Sequence, residues 1–321
     1  MTFQMEAQNA HLLEFAQDLN IHHILTDPIL HIAARFWEDE RYTAARTCYQ
    51  SMRVIDDLID TQKAVRHGIS EVEKQRLTVT VNDWVEAISD GITQDSAHKQ
   101  LVETIRKFRI PLWPWQMFSK SMIYDINHDG FRTFPIFLRY ADGAAMAPAS
   151  IFVHLCGVVK DNGHYRPPHF DVRKAARPAG LFCYLVHIIR DFQRDQNNGL
   201  NCFANSLMAE NGLNSSTLKK IAAGGEVTLG FRNLIKKYHT FAEHYRRKTR
   251  RAIDRISEYL EPRYRLSLEI VYSLYLLVFE RIDVQKGRFT TAELVSSQED
   301  IKNRLNMTIA SFESTMRGID R

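Results

Sequence analysis

Apolar residues recur at helical spacing along most of the chain. Stretches 31–62, 137–159, 174–194, 229–259 and 264–286 each carry apolar positions three and four residues apart over helix-length spans, while the two-residue alternation of half-buried strands is sparse. Pro111, Pro114, Pro148, Pro167, Pro168, Pro178, Gly224, Gly225 and Pro262 punctuate these stretches and predict where helices stop or kink. The pattern predicts an all-α fold. No Pro/Gly/Ser-rich linker, low-complexity tract or internal repeat interrupts it, so a single domain over residues 1–321 is expected.

Two of the predicted helices carry carboxylates in apolar surroundings. Asp56-Asp57-Leu58-Ile59-Asp60 and Asp191-Phe192-Gln193-Arg194-Asp195 each hold an aspartate pair at i and i+4, neighbours on one helix face. Like charges at that spacing destabilise an isolated helix, so two such pairs call for a counter-charge. Divalent metal supplies one: hard cations such as Mg²⁺ favour carboxylate oxygen and complete their shell with water and substrate phosphate. Helical counting puts Tyr49, Arg53, Asp56 and Asp60 on one stripe and Tyr184, His187, Asp191 and Asp195 on another, with Arg190 beside the second as a diphosphate donor. For either motif taken singly, an ordinary solvated acidic face is the plain alternative.

The series Tyr49-x3-Arg53-x2-Asp56-Asp57-x2-Asp60, followed by Ile188-Ile189-Arg190-Asp191-x3-Asp195-x3-Gly199, resembles the squalene/phytoene synthase family over residues 30–295. Met122-x2-Asp125, Tyr140 and Tyr275 with Arg281 and Gly287 extend the likeness. The resemblance implies a class I isoprenoid synthase helical bundle around a central active-site cavity, with the two acidic motifs facing across its mouth. It further implies three Mg²⁺ ions held by Asp56, Asp60, Asp191 and Asp195 with Asp57 nearby, and a diphosphate held by Arg53 and Arg190. Tyr49 and Tyr140 would donate hydroxyls near the leaving group. The reaction implied is ionisation of an allylic prenyl diphosphate, farnesyl or geranylgeranyl, and its head-to-head condensation with a second one.

The chain departs from the family pattern on the second stripe. The usual Gln and Asn before the second motif are Tyr184 and His187, the Glu before its last Asp is Arg194, and the Arg after Gly199 is replaced by Leu200. Gly143 stands where the family carries a tyrosine assigned to squalene formation. Arg to Leu removes a bidentate phosphate donor, and Glu to Arg reverses a charge beside the metals. The ionising half thus reads as intact and the acceptor half as rebuilt, with Gly143 and Tyr184 shaping acceptor choice. His187 has two readings, a base for an acceptor or intermediate and a buried histidine bonded to a backbone carbonyl. Gly143 and its alanine neighbours also suit close helix packing around a kink at Pro148.

Composition adds limits. At 45% hydrophobic and 25% charged over 321 residues the chain can bury a sizeable core. Cys48, Cys156, Cys183 and Cys202 lack metal-ligand spacing, which predicts neither zinc nor a disulfide framework. No basic segment followed by an apolar one opens the chain, the apolar runs are too short to span a bilayer, and 314–321 is largely polar. A cytoplasmic protein is expected. The basic run Arg246-Arg247-Lys248-x-Arg250-Arg251, after Lys236-Lys237, reads as a solvated helix face or a weak contact with an anionic membrane surface, and no nucleic-acid module accompanies it. No Gly-rich phosphate loop follows a strand, so a Rossmann-type nicotinamide site is not expected and NADPH use stays open, as does oligomeric state.

The expected function is a Mg²⁺-dependent prenyltransferase. A second expectation keeps the ionising half and passes the prenyl cation to an aromatic or other non-isoprenoid acceptor, or cyclises it. A third, a non-catalytic assembly protein, fits poorly with retained aspartates.

Overall fold

Helix ends follow local capping chemistry. Ser70 accepts from the Glu73 amide, Asp95 from Ala97 and His98, Asp171 from Lys174 and Thr228 from Phe231, each satisfying amides at the start of a helix. The computed structural model describes residues 24–25, 27–65, 69–91 and 95–319. The opening residues read above for a leader lie outside the described residues.

The helices are α1 (Ile29–Ala34), α2 (Asp39–Val65), α3 (Glu71–Asp90), α4 (Ser96–Lys107), α5 (Trp113–Asn127), α6 (Phe134–Ala141), α7 (Ala147–Gly157), α8 (Val172–Arg190), α9 (Phe192–Asn197), α10 (Asn205–Glu210), α11 (Ser215–Ala222), α12 (Leu229–Ile256), α13 (Pro262–Glu280), α14 (Thr291–Leu294) and α15 (Gln298–Ile319). A hairpin of Val159–Asp161 (β1) and His164–Arg166 (β2), paired antiparallel with Val159 opposite Arg166, is the sole sheet among the described residues. The all-α expectation holds. Helix α8 packs along α12 and against α7 and α13, and α2 and α5 pack against α7.

Several expected boundaries move. The stretch 31–62 is two helices, because the turn before α2 lets Phe36 and Trp37 both bury, at 1% and 3% exposure, and lets the Trp37 indole donate to Ser267 Oγ at 2.7 Å. Pro178 sits inside α8 and does not break it. Pro148 is likewise no simple kink. A π-helical turn, Asp142–Met146, joins α6 to α7 ahead of Pro148, near the α7 start, and its wider winding leaves room for a ring that would otherwise meet the carbonyl four residues back.

That turn is wedged between helices by glycines. A Cβ on Gly143 would overlap Ser121 Oγ and the Met117 carbonyl of α5, and one on Gly180 would lie 2.7 Å from Met146 Cα. Gly143 is therefore a packing residue buried between helices, which corrects its expected place on the cavity wall. Arg177 of α8 pins the turn through Asp142 at 2.7 and 3.2 Å.

The basic run lies on α12, where Arg246 and Arg247 pair with Glu243, Arg250 pairs with Asp254 and Glu269, and Lys237 pairs with Glu210. Among the described residues no helix is long and apolar enough to cross a membrane.

Candidate active site

The helices enclose a cavity of about 1140 Å³. Tyr49, Arg53, Asp56 and Asp60 all line it, as the single stripe on α2 requires. Lys63, one step further along that stripe, and Asp125 and Asp129 from the neighbouring segment join them. From the other side come Tyr184 and His187 of α8, Arg194 and Asp195 of α9, and the loop Asn198 to Cys202. Apolar walls are supplied by Phe118, Ala149, Phe152, Val153, Phe182, Ile253, Leu268 and Val271.

The acidic groups on the α2 side are crowded. Burial raises Asp56 to about 7, with the charges of Asp60 and Asp125 adding to the shift against Arg53. Asp60 is raised to about 6 by burial and by the Asp125 charge. Lys63 Nζ bonds Asp125 Oδ1 at 2.7 Å and the His128 carbonyl at 3.0 Å. Asp57 points away, 54% exposed and paired with Arg53, so it stands off the cavity. Arg53 also bonds Asp56 at 2.8 Å.

The second motif is arranged differently from the expected stripe. Helix α8 ends at Arg190 and α9 begins at Phe192, with Asp191 between them at φ −93° and ψ 3°. Asp191 turns into its own helix ends, 3% exposed and off the cavity lining. Arg190 Nε and Nη2 reach its two oxygens at 2.8 Å each, Arg194 Nη2 lies at 2.8 Å and His187 Nε2 at 2.6 Å. Burial opposes ionisation of Asp191, but the hydrogen bonds from Arg190 and His187 overcome it and hold the carboxyl well below the usual range. Arg190 is spent on Asp191 and also stands off the lining. Asp195 does face the cavity; burial and the Asp191 charge raise it.

His187 lines the cavity and bonds side chains where the sequence reading allowed a backbone carbonyl. With the proton on Nε2 it donates to Asp191, and Nδ1 accepts from Arg190 Nη2 at 3.3 Å, so both ring nitrogens are engaged. Tyr140 and Tyr184 meet across the wall with ring centroids 6.3 Å apart. Burial pushes both phenols well above the usual range. Phe131 lies 4.8 Å from Tyr140 and Phe137 5.7 Å from Tyr184, giving an aromatic wall suited to a cation. Tyr49 packs edge-on against His31 at 4.7 Å, and Tyr275 also reaches the cavity.

The sequence reading missed Lys63, Asp129, Asn201 and Lys219. Only Lys63 carried a local signal, three residues beyond Asp60 on the same stripe.

Residues 27–300 match the squalene/phytoene synthase family. The chain belongs to that family. Membership makes it an enzyme of the prenyltransferase kind. No curated protein matches it. Among solved structures, a squalene/phytoene synthase fold is evident in its likeness to a dehydrosqualene synthase in complex with ligand, at 14% identity and TM-score 0.67 over 97% of this chain and 98% of that one. The squalene synthase HpnC from Alicyclobacillus acidocaldarius is similar at 12% identity and TM-score 0.56, covering 87% of this chain and 94% of that one. YisP from Bacillus subtilis subsp. subtilis strain 168 is similar at 16% identity and TM-score 0.51, covering 84% and 99%. At these identities the likeness establishes the isoprenoid synthase helical fold.

Proposed function

We propose that this chain ionises an allylic prenyl diphosphate, farnesyl or geranylgeranyl, and joins it head to head with a second one. The observation that supports this best is the cavity itself. Its 1140 Å³ exceeds the range of about 300–1,000 Å³ typical of a site for one drug-sized ligand, as two prenyl chains require. Charged groups line it from the α2 and α9 sides, and apolar and aromatic side chains make up much of the rest.

The residues on the α2 side fit Mg²⁺. Asp56 is a carboxylate raised by burial and by the charges of Asp60 and Asp125, and Asp60 one raised by burial and by the charges of Asp125 and Asp195, which a divalent cation would relieve. Asp191 does not fit as a ligand, since its oxygens are already taken by Arg190, Arg194 and His187. Bound metal would neutralise charge on the leaving diphosphate. Arg53 would bind that diphosphate, Tyr49 and Tyr140 would donate hydroxyls toward it, and the apolar wall would keep water from the cation.

A second reading, transfer to a non-isoprenoid acceptor, draws on Tyr184 and His187 lining the cavity. Diphosphate release from each substrate, with and without Mg²⁺, tests the ionising step. Release by wild type and none by Asp56→Ala is expected; equal release by both would remove the assignment.

A further inference from the structure

The two acidic motifs of the cavity carry opposite balances of charge. On the α2 side Asp56, Asp60, Asp125 and Asp129 line the cavity against Arg53 and Lys63. On the α9 side Asp195 is the lining carboxylate, and Arg194 and Lys219 line the cavity with it. Asp191 offers nothing to an incoming cation: it is 3% exposed and holds four close contacts to Arg190, Arg194 and His187. Among the described residues, no three His, Cys, Asp or Glu side chains are grouped to hold a metal ion.

Arg194 is held but not used up. Its Nη2 is anchored to Asp191 Oδ2 at 2.8 Å and lies 3.5 Å from Asp195 Oδ1. Among the described residues no acceptor meets its Nε or Nη1, and the side chain is 57% exposed on the cavity lining. An anchored guanidinium with free N–H groups is pre-organised to donate to an anion.

We infer that Arg194 is a diphosphate-binding residue whose fixed positive charge stands where the second motif would otherwise need a divalent ion. The inference rests on the prenyl diphosphate reading above and sharpens it: metal is recruited on the α2 side, and the α9 side meets the anion with protein cation. It also moves the expected diphosphate role from Arg190, which is committed to Asp191, to Arg194. Lys219, with no partner among the described residues, adds charge on the same side.

Two titrations on the full chain test it. Inorganic diphosphate titrated calorimetrically in EDTA should bind wild type and Arg194→Lys, and should bind Arg194→Gln about 10- to 100-fold more weakly. Mn²⁺ counted by electron paramagnetic resonance with diphosphate present should rise by one ion per chain in Arg194→Glu relative to wild type. Equal diphosphate affinity of wild type and Arg194→Gln, or an unchanged Mn²⁺ count in Arg194→Glu, would overturn the assignment. Diphosphate release from farnesyl diphosphate by wild type, read in parallel, reports on the synthase reading separately, because these titrations need no prenyl chain.

Discussion

Lys63 Nζ donates to Asp125 Oδ1 at 2.7 Å, tying the first acidic helix to the neighbouring wall of the cavity. Both side chains are mostly buried, at 10% and 21% exposure, so the pair is poorly screened. Removing the lysine leaves Asp125 facing Asp56 and Asp60 without its cation. Lys63→Met should lose about 1–3 kcal/mol of stability in urea unfolding with EDTA present. An unchanged midpoint would mean that solvent already screens these carboxylates.

The raised carboxylates give the metal-free protein a pH signature. Asp56 at about 7 and Asp60 at about 6 hold their protons in the folded state well above the ordinary value of 3.8. The folded state therefore binds more protons than the unfolded one between those values, and stability falls as pH rises from about 4 through 7. Asp56→Asn should match wild type near pH 4 and exceed it by about 1–2 kcal/mol at pH 8, less than the full shift implies because solvent reaches the cavity. Mg²⁺ should close that gap. Thermal unfolding of both proteins across this range checks it; parallel profiles would contradict it.

Gly143 faces Ser121 and the Met117 carbonyl with no room for a methyl group. Gly143→Ala should cost about 1–3 kcal/mol by overpacking. Products formed by the surviving enzyme should be unchanged, because the position lies off the cavity. Denaturant unfolding and product mass spectrometry read the two effects; a changed product with unchanged stability would return Gly143 to a role in acceptor choice.

His187 has both ring nitrogens bonded, to Asp191 and Arg190. Loss of a general base lowers turnover by about 10²- to 10⁴-fold, whereas loosening a hydrogen-bonded neighbour costs less. His187→Asn should therefore slow turnover by about 10-fold or less. A drop of about 10³-fold would restore the base reading.

The first motif was legible because Tyr49, Arg53, Asp56 and Asp60 lie within one unbroken helix, where spacing alone fixes the face. The second was only partly legible. The chain leaves helix at Asp191, so its side chain turns away from the line of Tyr184, His187 and Asp195, and which cations it meets depends on that local break. Close packing at Gly143 was legible from its small neighbours, whereas its expected place on the cavity wall fails because it lies inside the π turn against Ser121 and Met117. The split between α1 and α2 was hidden because the partner of Trp37 is Ser267, 230 residues away. Lys63 was legible and overlooked, one helical step past Asp60.

The most direct test of head-to-head condensation is the mass of the product formed by wild type with Mg²⁺ from farnesyl diphosphate alone and from geranylgeranyl diphosphate alone. A C30 or C40 product from a single substrate is the expected result. Prenyl alcohols or cyclic hydrocarbons alone, with diphosphate released, would contradict it and show an ionising site whose acceptor is not a second prenyl diphosphate.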